Sequence, residues 1–224
     1  MQLLQVIIEL RHGQPLKLFR PYEELYRSLT EKELPEKEIP LPGFELRISE
    51  KRMLVRVDPN HTAIFLGHVP NIGYCVDNIR GVFRKISDLV KLPPLIRLGA
   101  RSYWIQESKL EFKELVSNYK QIIYKPSNII EESIDVGASF KLQDGKYTAN
   151  LAFGPMQQAQ LKTMLVFQPD KLPQVLSFLD VDYYLLMEKT EVTERSLQDF
   201  VNAGLNYASE QGQRLMSILL KEEG

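Results

Sequence analysis

Between Phe44 and Val69 apolar side chains recur at every second position, and this period of two constrains the fold more than any other feature. Phe44-Glu45-Leu46-Arg47-Ile48 puts apolar residues on one side of an extended chain and charges on the other, and Met53-Leu54-Val55-Arg56-Val57 puts Met53, Val55 and Val57 on one side and Leu54 and Arg56 on the other. Asp58-Pro59-Asn60 supplies a turn, and Thr62 to His68 a third strand. Asp144-Gly145 between Val136–Leu142 and Tyr147–Phe153 is a second hairpin signal. Further strands are expected over Leu4–Leu10, buried on both faces, and over Leu95–Gln106, Met164–Phe167 and Val181–Glu188.

Helical spacing of apolar residues predicts helices over Leu18–Leu29, with Pro21 in the first turn, and over Ile72–Val90, ended by Pro93-Pro94. Two more are expected over Leu110–Tyr124 and Ser196–Lys221, with an exposed charged loop over Thr30–Pro42. Hairpins alternating with single helices point to the α+β class: antiparallel sheet covered by helices, closed by a long C-terminal helix. Both halves read helix, strands, helix, which hints at a two-fold internal duplication. The expected organisation is an N-terminal α+β half, 1–125, and a C-terminal half of strands plus long helix, 126–224, with a hinge near Lys125-Pro126-Ser127-Asn128. One continuous domain is equally compatible with that pattern.

Charge is balanced, 28 Lys+Arg against 29 Asp+Glu, so no general attraction to nucleic acid or anionic membrane follows. A single cysteine, Cys75, excludes an intramolecular disulfide and a multi-cysteine zinc site. The opening residues read as a strand rather than a signal peptide, and no apolar run approaches the ~20 residues that cross a bilayer. The expected location is the cytoplasm, with no membrane partner.

Leu95 to Trp104 holds the most suggestive pattern. On a strand, Arg97, Gly99, Arg101 and Tyr103 share one side, with Gly99 leaving room between two guanidinium groups. Such a fork suits a phosphate or carboxylate; pairing with internal carboxylates is the more ordinary reading. Asp180 and Asp182 share a side of a later strand, with Tyr184 beyond. They could bind a cation or divide acid and base roles, or pair with Arg97 and Arg101.

Arg97-Leu98-Gly99-Ala100-Arg101 followed by aromatic residues, an opening Val6-Ile7-Ile8-Glu9 strand, and Asp180-Val181-Asp182 before a long helix resemble a sporadically distributed family of uncharacterised prokaryotic proteins. The resemblance implies an architecture and a prokaryotic source, and no reaction.

Catalytic residues are not assignable. Nucleophile-elbow, phosphate-loop and dinucleotide-binding signatures are absent, and no metal or cofactor is expected. His12, His61 and His68 lack ligand spacing, and Cys75 reads as a buried, inert thiol. Arg80, Arg84, Lys85, Lys91, Arg97 and Arg101 cluster, but Asp77 and Asp88 have the spacing of ordinary helix-surface partners to Arg80 and Arg84. In the last helix Gly204, Ala208 and Gly212 form a small-residue stripe, either a seat on the sheet or a self-association seam. The leading expectation is a non-enzymatic binding or protein-interaction module, with itself or another protein as partner. The alternative is a binder of anion-bearing small molecules, or an enzyme, with a pocket between the sheet and the last helix; nucleic-acid binding ranks last.

Overall fold

The computed structural model describes residues 1–14, 28, 43–90, 92–124 and 128–220. The helix expected over Leu18–Leu29 (Ser28 apart), the loop over Thr30–Pro42, Lys91, most of the expected hinge and Lys221 lie outside them. The class is α+β, as the period-two segments require. Strands β1 (Gln2–His12), β2 (Phe44–Ile48), β3 (Met53–Asp58), β4 (His61–Gly67), β5 (Leu95–Glu107), β6 (Ala138–Asp144), β7 (Tyr147–Gln157) and β8 (Val175–Thr190) form an antiparallel sheet ordered β2-β3-β4-β1-β5-β8-β7-β6. In each four-strand unit, β1–β4 and β5–β8, the first strand lies at the centre, the chain then crosses to the outer edge and returns strand by strand, and the β1–β5 ladder joins the two units into one sheet.

Helices α1 (Ile72–Val90), α2 (Phe112–Ile123) and α5 (Glu194–Leu219) cover one face. Alternation sends Val6, Ile8, Leu10, Val55, Ile64, Leu98, Ala100, Trp104, Val181 and Tyr183 into the core beneath them. Asn71 starts α1, its side chain accepting from Tyr74 N–H at 2.8 Å. Thr193 starts α5 through a reciprocal capping box with Ser196. Short helices α3 (Asn128–Glu132) and α4 (Gln158–Met164) were not expected from the sequence.

Met164–Phe167 is not a strand. Met164 ends α4, and Leu165 sinks into a second, smaller cluster with Leu4, Tyr103, Ile105, Leu161, Leu176 and Phe178 on the opposite face. Residues 165–174 continue over that face as a strap. Val166 N–H donates to Gln5 Oε1 at 2.9 Å, Phe167 sits on Gly67, and Arg52 holds Asp170 at 2.8 Å. At the β6–β7 turn Gly145 takes φ +56 at the first central position and Lys146 has no positive φ, as a II′ turn does.

Gly204, Ala208 and Gly212 are all buried on α5 and face the chain's own sheet. A side chain at Gly204 would start 2.8 Å from the Tyr183 ring, and one at Gly212 would meet Leu179 and Met1. Close seating compensates the roughly 1 kcal/mol that each helical glycine costs relative to alanine. The stripe is thus occupied within the chain and does not form an exposed self-association seam.

These two kinds of glycine predict opposite outcomes. Among the described residues nothing lies within 4 Å of a side chain added at Gly81 in α1, so Gly81→Ala should raise stability by up to about 1 kcal/mol. Gly204→Ala should lower it, because the Tyr183 ring is wedged among Tyr147, Phe200 and Tyr207 and bonded to Asp144. Urea denaturation of both variants checks the pair.

Candidate functional site

The face opposite the three long helices divides into two zones. α4 and the strap cover the end carrying Tyr103, Ile105 and Phe178. The other end is free of any helix among the described residues and carries charges on adjacent strands: Glu45, Arg56, Asp58, His61, Glu9, Arg11, Arg97, Arg101, Asp180 and Asp182.

β5 runs through the middle of this bare zone. Arg97 and Arg101 do emerge on one side of it, as the alternation predicts, but Gly99 is not an open gap between them. The Arg97 guanidinium itself lies over Gly99, so that an added Cβ would stand 2.8 Å from Nη1. From there Nη1 donates to Glu9 on β1, and Nη2 donates to both oxygens of Asp182 on β8, at 2.8 and 3.0 Å. The group also stacks on Tyr184, 4.7 Å from the ring centroid. With its side chain 13 % exposed, Arg97 clasps three strands at once.

Arg101 holds Asp180 with two prongs, Nε to Oδ1 at 2.9 Å and Nη2 to Oδ2 at 2.5 Å. That bond to Asp180 is the chief reason why its guanidinium holds its proton even more firmly than usual. Tyr103 stands at the boundary of the zones. Its ring is buried edge-on against Phe178, Arg101 lies 5.4 Å above it, and burial pushes its hydroxyl pKa up. All five residues singled out in the sequence thus gather on one surface, the guanidiniums already paired with the carboxylates.

Sequence reading missed Glu9 and Arg11 as members of this network. A lone acid in the apolar run Val6-Ile7-Ile8-Glu9-Leu10 was the available signal, since such a residue needs a cation nearby. Farther along the face His61 Nδ1 lies 2.7 Å from Asp58, and Arg56 pairs with Glu45 at 2.5 Å. Among the described residues no group of three or more His, Cys, Asp or Glu is placed to hold a metal ion.

A groove of about 610 Å³ opens beside Asp180, bounded by Asp135, Ser139, Gly154, Gln160 and Phe178. Another, of about 780 Å³, lies on the outer side of α2, lined by Phe112, Val116, Lys120, Tyr124, Ile130 and Ile134. Neither is the expected pocket between the sheet and α5, where Tyr183 and Leu179 fill the space against the small-residue stripe.

Cys75 is fully buried and its thiol pKa is pushed up to about 12 by burial. On α1 Arg80 lies within 3.9 Å of Asp77 and 3.5 Å of Glu194, and Lys85 donates to the carbonyl of Ser28, so part of the basic cluster is engaged within the chain. No helix among the described residues is long and apolar enough to cross a membrane. No protein-family model matches this chain, and no curated protein matches it.

Removing the clasp's cation should be costly. Arg97→Met leaves Glu9 and Asp182 facing each other, and the expected loss is about 2 kcal/mol, between the values for exposed and fully buried pairs. Replacing Glu9, Arg97 and Asp182 together by Gln, Met and Asn should recover part of it; equal losses in the two variants would contradict the clasp. A separate expectation concerns pH. His12 is buried, Nε2 3.0 Å from Thr62 Oγ1 and Nδ1 without a partner. Burial, then the nearby His61, lowers its pKa from 6.5 to about 4, with Asp58 acting the other way. Between those values the unfolded chain takes up a proton that the folded chain refuses, so stability should fall as pH drops through this window. Denaturation midpoints across it should fall less in His12→Gln.

Proposed function

We propose that this chain is a non-enzymatic binding module that recognises a protein partner on the bare end of its sheet. The carrying observation is the lopsided cover among the described residues: three long helices on one face, and on the other a zone that none of the described helices covers, whose charged side chains hold one another in place. An antiparallel sheet readily keeps one face in water. Leu186, 70 % exposed, stands opposite Arg97 in the β5–β8 ladder, next to the stacked Tyr184. An apolar centre with a polar surround is the usual anatomy of a recognition patch. Charges already ordered by one another lose little freedom on binding.

The groove beside Asp180 favours a second reading, a small ligand bearing a carboxylate or phosphate that competes with Asp180 for Arg101. The resemblance to the prokaryotic family carries no activity, so neither reading rests on it.

Affinity capture from an extract of the source cells with wild type, Leu186→Lys and Tyr184→Ala tests the proposal. A polypeptide held by wild type and lost by both variants, each folded by circular dichroism, is the expected result. The same set held by all three would sink it. Should phosphate or acetate raise the melting temperature of wild type but not of Arg101→Ala while no polypeptide is lost, the small-ligand reading takes its place.

A further inference from the structure

Among the described residues β6 has β7 on one side and no strand on the other. Natural edge strands are usually blunted by proline, bulges, several charges or very short length. β6 runs ASFKLQD in unbroken register with β7, without proline and with Lys141 as its one basic residue. Its helix-side residues are Ala138, Phe140 and Leu142. Phe140 packs one flank on Phe153 at 5.5 Å and leaves 48 % of itself exposed. Ile134, just before the strand, is 90 % exposed.

We infer that this edge is a self-pairing surface, and that its occupant is β6 of a second copy of the same chain. A two-fold axis perpendicular to the sheet makes the two strands antiparallel and brings like faces together. Helix-side residues must then oppose helix-side residues, which leaves few registers. Centring on Phe140 sets the two Phe140 rings side by side and Ala138 against Leu142 on the helix side, with Lys141 against Ser139 on the bare side. Every apolar residue meets an apolar one, and an aromatic pair forms across the strands. Centring on Lys141 opposes two like charges. Centring on Leu142 or Gln143 puts Phe140 or Leu142 against Asp144, and centring on Ser139 leaves Phe140 over Ala138. With a formal charge of -1 per chain, no long-range repulsion holds two copies apart.

One strand pair with a ring pair sits at the small end of stable interfaces, so the dimer dissociates on dilution. Its sheet runs unbroken through both copies, with all long helices on one side. The two bare zones then face the same way and can engage a repetitive partner with avidity. The pairing itself does not depend on the recognition proposal.

Cysteine crosslinking reads the register directly, because the native Cys75 is buried and unreactive. Phe140→Cys puts both new thiols on the axis, within the separation that a disulfide spans. Gln143→Cys places them several residues apart. Oxidation is expected to convert Phe140→Cys largely to covalent dimer and to leave Gln143→Cys monomeric. Light scattering should show the wild-type mass doubling between low micromolar and submillimolar protein, and Phe140→Arg should abolish the rise. Wild type that stays monomeric over this range overturns the inference. So does crosslinking at Gln143→Cys in place of Phe140→Cys.

Discussion

Arg97 folds over Gly99 and reaches Glu9 on one neighbouring strand and Asp182 on the other. The register of β5 against both halves of the chain turns on this contact. β5 is central, and its alternate residues divide sharply: Leu98, Ala100, Ser102 and Trp104 are buried in the core, while Arg97 and Arg101 stand on the charged face. A slip of one residue would exchange the two sets, pushing guanidinium groups under α5 and exposing the core. Ion pairs of this kind add modest net stability, because desolvation offsets most of their attraction. Their larger effect here is to penalise wrong registers, which would strand a half-buried charge without its counterpart.

From that centre the rest follows by outward addition. β1 is followed outward by β4, β3 and β2, and β5 by β8, β7 and β6, so both halves wind alike around the β1–β5 pair. α1 and α5 then meet over the middle of the sheet. Gly204 and Gly212 let α5 lie close enough for Tyr183 and Leu179 to fill the space beneath. A cavity there would conflict with this seating, and both described grooves lie outside the helix–sheet interface.

Legibility from sequence followed how local each determinant is. Hairpins declare themselves through period two and turn residues, so β2, β3 and β4 and the β6–β7 pair were readable, as were α1, α2 and α5 from helical spacing. Met164-Leu165-Val166-Phe167 misled, because a short apolar run looks like a strand whether it pairs within a sheet or crosses over one. Here it crosses: Leu165 and Phe167 pack onto strands of the other half, and only tertiary structure makes that visible. α4 begins with a Gln157–Gln160 capping box, a variant without the usual Ser, Thr or Asp that marks a helix start. For the charged site, alternation placed Arg97, Arg101, Asp180 and Asp182 on their sides correctly. Which carboxylate faces which guanidinium depends on strand order, and the sequence does not contain strand order locally.

Mutual pairing on the bare face also bears on how anything could bind there. A partner attracted by net charge alone would have to displace Glu9, Asp180 or Asp182 from a guanidinium, giving up a formed hydrogen bond for each one gained. Such an exchange is close to neutral in water, so charge contributes little affinity and much orientation. The favourable part must come from surface that has no intramolecular partner. On this face that means the exposed flank of Leu186 and, at the rim, the unladdered edge of β6. On the proposed reading, recognition would therefore rest on apolar contact and backbone pairing, with the ion pairs acting as a fixed template that excludes ill-fitting surfaces.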